Sequence, residues 1–170
     1  MLVMIGYASA HGSTEGIARR VADRLREHGH DVDVRPLDEP VADLDRYDAF
    51  VLGSAVHGSS WLREAVDFTR RETDTLAQRP VWLFSVGLAR VLGGRFEQAG
   101  GEPRGTPELR QAVGAREHRL LAGAIQPKHL PLFARGIYRM MGGRYGDFRD
   151  WAEVDDWAES IAAQLTVVAH

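Results

Sequence analysis

Three apolar runs in this chain each stop abruptly in a tract of small, polar or glycine-containing residues. Residues 2–8 (Leu-Val-Met-Ile-Gly-Tyr-Ala) give way to Ser9-Ala10-His11-Gly12-Ser13-Thr14. Residues 47–53 give way to Ser54-Ala55-Val56-His57-Gly58-Ser59-Ser60, and residues 81–86 to Gly87-Leu88-Ala89-Arg90. A continuous apolar run bounded by polar residues suits a strand buried on both faces, as in a parallel sheet. A helical pattern follows the first tract. Ile17, Val21 and Leu25 recur with Ala18 and Ala22 beside them, arginines occupy the other faces, and Gly29 supplies the stop. After the second tract, Leu62, Ala65, Val66 and Phe68 mark the buried side of another helix.

The remaining elements follow from the same signals. Residues 32–37 alternate apolar and polar, the mark of an outer strand. Residues 93–106 are rich in glycine and read as a mobile loop. Thr106-Pro107 has the form of an N-cap with proline at the first helical position, opening a helix to about residue 113. Residues 117–122 form a fifth, more polar strand, and a closing helix starts near Trp151 and buries Val154, Trp157, Ile161, Ala162 and Leu165. Strands alternating with helices predict an α/β fold. The expected architecture is a flavodoxin-like, doubly wound, five-stranded parallel sheet of order 2-1-3-4-5 with helices on both faces. It takes in residues 1–170 as a single domain, with a basic amphipathic segment inserted at about 123–150. Ligands of such sheets bind at the carboxyl ends of the strands beside the switch point, and all three tracts fall on that edge.

The totals narrow the function. The chain has 170 residues and a formal charge of −3, from 21 Lys and Arg against 24 Asp and Glu, which argues against nucleic acid as a partner. It has no cysteine, so disulfides, thiolate metal sites and cysteine nucleophiles are excluded, and no metal site is expected. No apolar run approaches the ~18 residues of a spanning helix, and the first residues lack a basic leader. The expectation is a cytoplasmic protein, with peripheral contact at the inner face of a membrane as an open alternative.

At the first tract, Ser9, Ser13 and Thr14 bring hydroxyls, Gly12 lets the backbone approach closely, and a helix N-terminus adds partial positive charge. This is the physics of a phosphate site, although an ordinary N-cap cluster uses the same residues. There is no Gly-Lys-Ser/Thr of a nucleoside triphosphate loop and no Gly-x-Gly-x-x-Gly of a dinucleotide site. A phosphoacceptor aspartate, which a receiver domain needs after its third strand, is replaced by Gly53-Ser54.

Ser9-x-x-Gly12-x-Thr14 after a first strand resembles the flavodoxin phosphate loop, with His11 where that family has a threonine. The resemblance implies FMN as cofactor, held by Ser9, Ala10, His11, Gly12, Ser13 and Thr14. It further implies that Ser54, Ala55, Val56, His57 and Gly58 cover the isoalloxazine and reach its N5–O4 edge. Trp61 is then an apolar wall of the site or a core aromatic on the first turn of a helix. Ser85, Val86, Gly87 and Leu88 would border the N1–C2=O2 edge. His57, as a proton relay, and Arg90, as a charge near N1, are the candidate catalytic residues; exposed loop roles for both remain open.

From Leu130 onward, Phe133, Ile137, Met140 and Met141 share one helical face and Arg135 and Arg139 another, with Lys128, His129 and Arg144 flanking. Such a helix sits at a membrane surface, covers an apolar ligand, or packs on the sheet. Ala122-Gly123-Ala124, Pro127 and a basic–aromatic helix ending Met140-Met141-Gly142-Gly143 resemble the quinone-dependent protoporphyrinogen oxidases built on a long-chain flavodoxin fold. That resemblance implies an FMN-dependent oxidoreductase of heme biosynthesis, passing electrons from a reduced organic substrate such as protoporphyrinogen IX to a quinone. Arg135, Arg139 and Lys128 are candidate partners for the substrate carboxylates. The alternative is a flavodoxin-like electron carrier, against which Arg63, Arg90 and Arg95 near the ring site weigh. A third reading is a cofactor-free scaffold. A quinone or small redox substrate is the expected partner, residues 128–143 the candidate membrane contact, and a homodimer is compatible with the sequence.

Overall fold

A computed structural model describes residues 1–87, 102–126, 135–136, 139–140 and 145–168. The first apolar run is β1 (Leu2–Ala8), and its side chains divide by alternation between two cores: Val3 and Ile5 on one face of the sheet, Met4 and Ala8 on the other. The same division runs through β3 (Ala49–His57) and β5 (Val81–Gly87), where Val51, Trp82 and Phe84 share the first face and Phe50, Leu52 and Leu83 the second. These strands are buried on both sides, which is why they read as unbroken apolar runs. β2 (Asp31–Pro36) lies at one edge and β6 (Glu117–Ala122) at the other.

The strands are parallel in the order β2-β1-β3-β5-β6, and β4 (Ser60–Trp61) folds back antiparallel on the end of β3. Counting the five long strands alone, this is the expected 2-1-3-4-5 order. Residues 31–36 and 81–87 shift the expected strand bounds by one position each. The larger difference is β3, which continues beyond Gly53 through His57. Its pairing with β5 persists through Ser54↔Ser85 and Ala55↔Val86, so the second polar tract is largely strand.

α1 (Ser13–Glu27) and α5 (Trp151–Val168) cover one face, burying Ile17, Val21 and Leu25 beside Trp157, Ile161 and Leu165. α1 ends as the glycine predicted. Gly29 is left-handed at φ 82°, its N–H reaches Arg26 O at 2.9 Å, and His30 N–H reaches Leu25 O at 3.1 Å, which together make a Schellman closure. α2 (Arg63–Arg71), α3 (Thr73–Leu76) and α4 (Thr106–Ala112) are associated with the other face through Phe68, Leu76 and Leu109. The α4 cap is Gly105, at φ 79°, rather than Thr106, so Pro107 is the second helical residue. Beyond β6, residues 124–125 (β7, Ala124–Ile125) pair antiparallel with β8 (Gly146–Asp147). Most of the basic segment between them lies outside the described residues, as does the glycine-rich stretch at 93–101; Arg135, Gly136, Arg139 and Met140 are helical.

Two contacts fix how the layers meet. A Cβ on Gly53 would overlap the Phe84 ring, which in turn meets Trp157 edge-on at 5.6 Å between centroids. Between the helices, Asp155 of α5 accepts hydrogen bonds from Arg20 at 2.6 and 2.7 Å and from Arg24 at 2.8 Å. These bonds hold the Asp155 carboxyl well below the usual carboxylate range.

Gly53→Ala is expected to cost about 1–3 kcal/mol by overpacking, measured by urea unfolding. Asp155→Asn is expected to lower the urea midpoint at neutral pH. Because the folded carboxyl binds its proton less readily than the unfolded one, its contribution is complete above the unfolded pKa of about 3.9 and fades as pH falls through the folded value. The gap between wild type and variant therefore closes in acid, measured as midpoints across a pH series.

Candidate functional site

At the carboxyl ends of β1, β3, β5 and β6 the chain leaves a cleft holding about 700 Å³ of space, open mouth included. It stands at the switch point, where the connection from β1 leads outward to β2 and that from β3 leads the other way to β5.

The first wall is the turn into α1. Gly12 adopts φ 88° and donates its N–H to Ser9 Oγ at 2.9 Å, which leaves the Ser9 hydroxyl hydrogen for a ligand. Ser9, Ala10, His11, Ser13 and Thr14 line the cleft. Thr14 is 1% exposed, and its Oγ1 has no hydrogen-bond partner among the described residues. A buried hydroxyl without a partner is costly, and here it borders a cleft at the start of a helix. Ser13 lines the cleft and also has a partner within the chain. Its Oγ accepts the Ala124 N–H at 3.0 Å and lies 3.4 Å from Ala124 O, so β7 already occupies this hydroxyl.

The second wall is the end of β3. Ala55, Val56 and His57 line the cleft, and His57 is exposed at its rim. Gly58 (φ 57°) and Ser59 (φ 68°) form the tight turn into β4, both in the left-handed region that a two-residue hairpin turn demands. Ser54 lies beneath this wall, fully buried, and accepts the Leu62 N–H at 2.9 Å. Trp61 is a core aromatic, as one of its two expected roles has it, but not on a helix. It belongs to β4 rather than to a helix, it does not line the cleft, and its indole donates to Ser85 Oγ at 2.7 Å in the interior.

The third wall is the end of β5. Val86 and Gly87 line the cleft, while Ser85 is fully buried below them. Leu88 and Arg90 lie outside the described residues, as do Arg95 and Lys128. Arg63 is away from the cleft, 89% exposed and paired with Asp67 at 3.3 Å.

A fourth wall was not expected. Gly123, Ala124 and Ile125 close the cleft beyond β6, with Gly123 so near that an added Cβ would stand 3.0 Å from Val86 Cγ1. Small residues directly after a strand, on the edge where three other strands end, were the available signal. Among the described lining residues none is acidic and His11 and His57 are the titratable ones. Glu15, Asp38 and Glu64 gather instead around a separate depression that includes Ser9 and Gly12. Among the described residues, no group of three or more His, Asp or Glu is placed to hold a metal.

A cleft bounded by four strand ends of a doubly wound sheet, with an anion-ready helix start on one side, defines a flavodoxin-like α/β protein. The chain belongs to the flavodoxin domain family, whose model matches residues 4–149. Solved structures similar to it include the rubredoxin oxygen:oxidoreductase of the anaerobe Desulfovibrio gigas, at TM-score 0.66 and 16% identity over 98% of this chain and 36% of that one. A flavodoxin from the domain Archaea matches at TM-score 0.62 and 16% identity, over 98% of this chain and 99% of that one. Oxidised flavodoxin 2 from Bacillus cereus matches at TM-score 0.63 and 21% identity, over 96% and 99%. The chain thus spans about a third of the Desulfovibrio protein and nearly the whole of the two flavodoxins, and at these identities the likeness is one of fold. No curated protein matches it by sequence.

Thr14→Val replaces the unpartnered hydroxyl with a methyl group of similar shape. It is expected to stabilise the ligand-free protein by about 1 kcal/mol or more, measured by thermal or urea unfolding.

Proposed function

We propose that this chain is a flavodoxin-type electron-transfer protein that uses FMN. The observation that carries the reading is the buried, unpartnered Thr14 Oγ1 at the start of α1, beside the left-handed Gly12 turn. A phosphate group accepting from Thr14, Ser9 and the free N–H groups at the helix start satisfies donors that the fold itself leaves unmet. His11 borders the same space and can donate from its imidazole. Val56 and His57 on one wall and Val86 and Gly87 on the other would border the ring system, between side chains that are mostly aliphatic. When bound, FMN supplies the redox chemistry itself; the chain's part is to bind it, orient it and tune its surroundings.

A second reading is an oxidase that takes electrons from a reduced organic substrate, protoporphyrinogen IX among them, and passes them to a quinone. It rests on the resemblance of residues 122–143, and one observation favours it: the described cleft lining carries two histidines and no carboxylate. That suits an anionic substrate better than an acidic docking rim would. Arg135 and Arg139, on the helical residues of the basic segment, are its candidate cations. Among the described residues no helix is long and apolar enough to cross a membrane.

FMN titration should quench flavin fluorescence at one equivalent. Thr14→Val should weaken binding by about 1.5–3 kcal/mol, the value of a hydrogen bond to a charged group, whereas Ser13→Ala should cost less because Ala124 already holds that hydroxyl. Absence of quenching at saturating FMN removes the redox reading. Anaerobic mixing of the loaded protein with protoporphyrinogen IX and then a menaquinone analogue separates the two proposals: turnover with both supports the oxidase, and reduction only through a protein partner supports the carrier.

A further inference from the structure

Beneath the cleft runs a chain of polar groups that the cofactor reading leaves unused. The Trp61 indole N–H donates to Ser85 Oγ at 2.7 Å, Ser85 Oγ lies 2.7 Å from His118 Nε2, and His118 Nδ1 lies 3.4 Å from Glu102 Oε1, which Arg110 also reaches at 2.8 Å. Ser85 and the His118 side chain are almost wholly shielded from solvent, at 0% and 2% exposure. The spacing copies a serine–histidine–carboxylate triad. It is not a nucleophile's site, since Ser85 has no open side and one of its lone pairs is taken by the indole.

The chemistry of the donors orders the chain. An indole N–H only donates, so Ser85 Oγ accepts it and can pass its own hydrogen to His118 Nε2, and Nδ1–H then faces the Glu102 carboxylate. In that arrangement a neutral imidazole is required. What it holds is the hairpin: Trp61 pairs with Val56, and Val56 and His57 form the second wall of the cleft. Ser54, the register partner of Ser85, secures the adjoining Leu62 N–H, and Arg104 N–H bonds Ser59 O at 2.8 Å. The hairpin is thus held by hydroxyls from two strands and by the segment leading into α4.

We propose that His118 is a positioning residue for the ring-side wall of the cleft, holding the β3–β4 hairpin through Ser85 and Trp61 while its imidazole is neutral. The inference deepens the FMN reading and rests on it for its functional meaning. Protonation at Nε2 turns the acceptor into a donor and leaves the Ser85 hydrogen without its partner, loosening the grip on Trp61. Burial favours the neutral form and lowers the His118 pKa from its usual value. Glu102 and, on its own strand, Glu117 favour the cation, and Arg110 of α4 opposes it. With the folded value below the unfolded one, the network is complete near neutral pH and is lost as pH falls through the folded value.

The test uses the full chain. In ligand-free wild type, NMR follows the Trp61 indole N–H, assigned with Trp61→Phe, and the His118 ring proton from about pH 8 downward past the usual imidazole range near 6.5. The indole resonance is expected to move with the His118 titration at the same midpoint. A His118 imidazole that stays neutral until the protein unfolds, or an indole indifferent to its titration, overturns the proposal. FMN dissociation constants over the same range are compared with His118→Gln, which offers an acceptor and a donor and cannot titrate there. Wild type should lose about three- to ten-fold more affinity on acidification than the variant, the phosphate's own titration being common to both. Superimposed profiles overturn the functional role. If the indole follows His118 and no FMN binds at any pH, the coupling stands and the cofactor reading falls.

Discussion

A strand covered on both faces can place polar chemistry only at its ends, and the rest of this structure depends on that constraint. β1, β3 and β5 have helices against each side, so their inward positions are aliphatic or aromatic. The buried polar residues are correspondingly few: Thr14, Ser54, Thr69, Ser85 and Thr106 among those described. Three of the five, Thr14, Ser54 and Ser85, lie at or just beyond the carboxyl ends of the central strands. Each has a different fate. Ser54 is satisfied by Leu62, Ser85 by Trp61 and His118, and Thr14 by nothing among the described residues. Of these three the unmet group is the one that borders the cleft; Thr106 Oγ1, also without a partner among the described residues, lies away from it.

The helix carrying that group is anchored from behind. α1 packs its apolar stripe on β1 and against α5, and Arg20 and Arg24 converge on Asp155. A helix whose N-terminus binds an anion needs its axis fixed, because displacement of its first turn moves every donor in the site. The clamp toward the far end of α1 and the close fit of Gly16 beside Arg149 hold that axis at separate points.

Much of this was legible in the sequence, because periodicity reports burial directly. The apolar runs, the stripe of α1 and its Gly29 stop all correspond to what forms. What was not legible came from pairing between distant segments. β3 runs past Gly53 because backbone pairing with β5 does not require apolar side chains, and Ser54 hides its hydroxyl within its own hairpin. Trp61 read as a wall of the site or a core aromatic on a helix; it is a core aromatic, but its indole meets a buried serine of β5 from a hairpin. Ser13 read as a ligand donor, and nothing in its neighbourhood revealed that Ala124, far along the chain, also bonds its hydroxyl. The fourth wall at 123–125 escaped for the same reason: a short segment of small residues shows its role only once the strand before it is placed.

The Ser13–Ala124 contact carries a consequence for how such a chain can change over generations. It joins the helix start to β7, the short strand that follows β6. The two cannot drift independently. A lengthened or shortened insertion that shifts β7 would release the Ser13 hydroxyl into the cleft and remove Gly123 from against Val86, altering anchor and wall in one step. Variation that moves this segment is therefore also variation in the lining of the cleft, and lineages that remodel one inherit a changed version of the other.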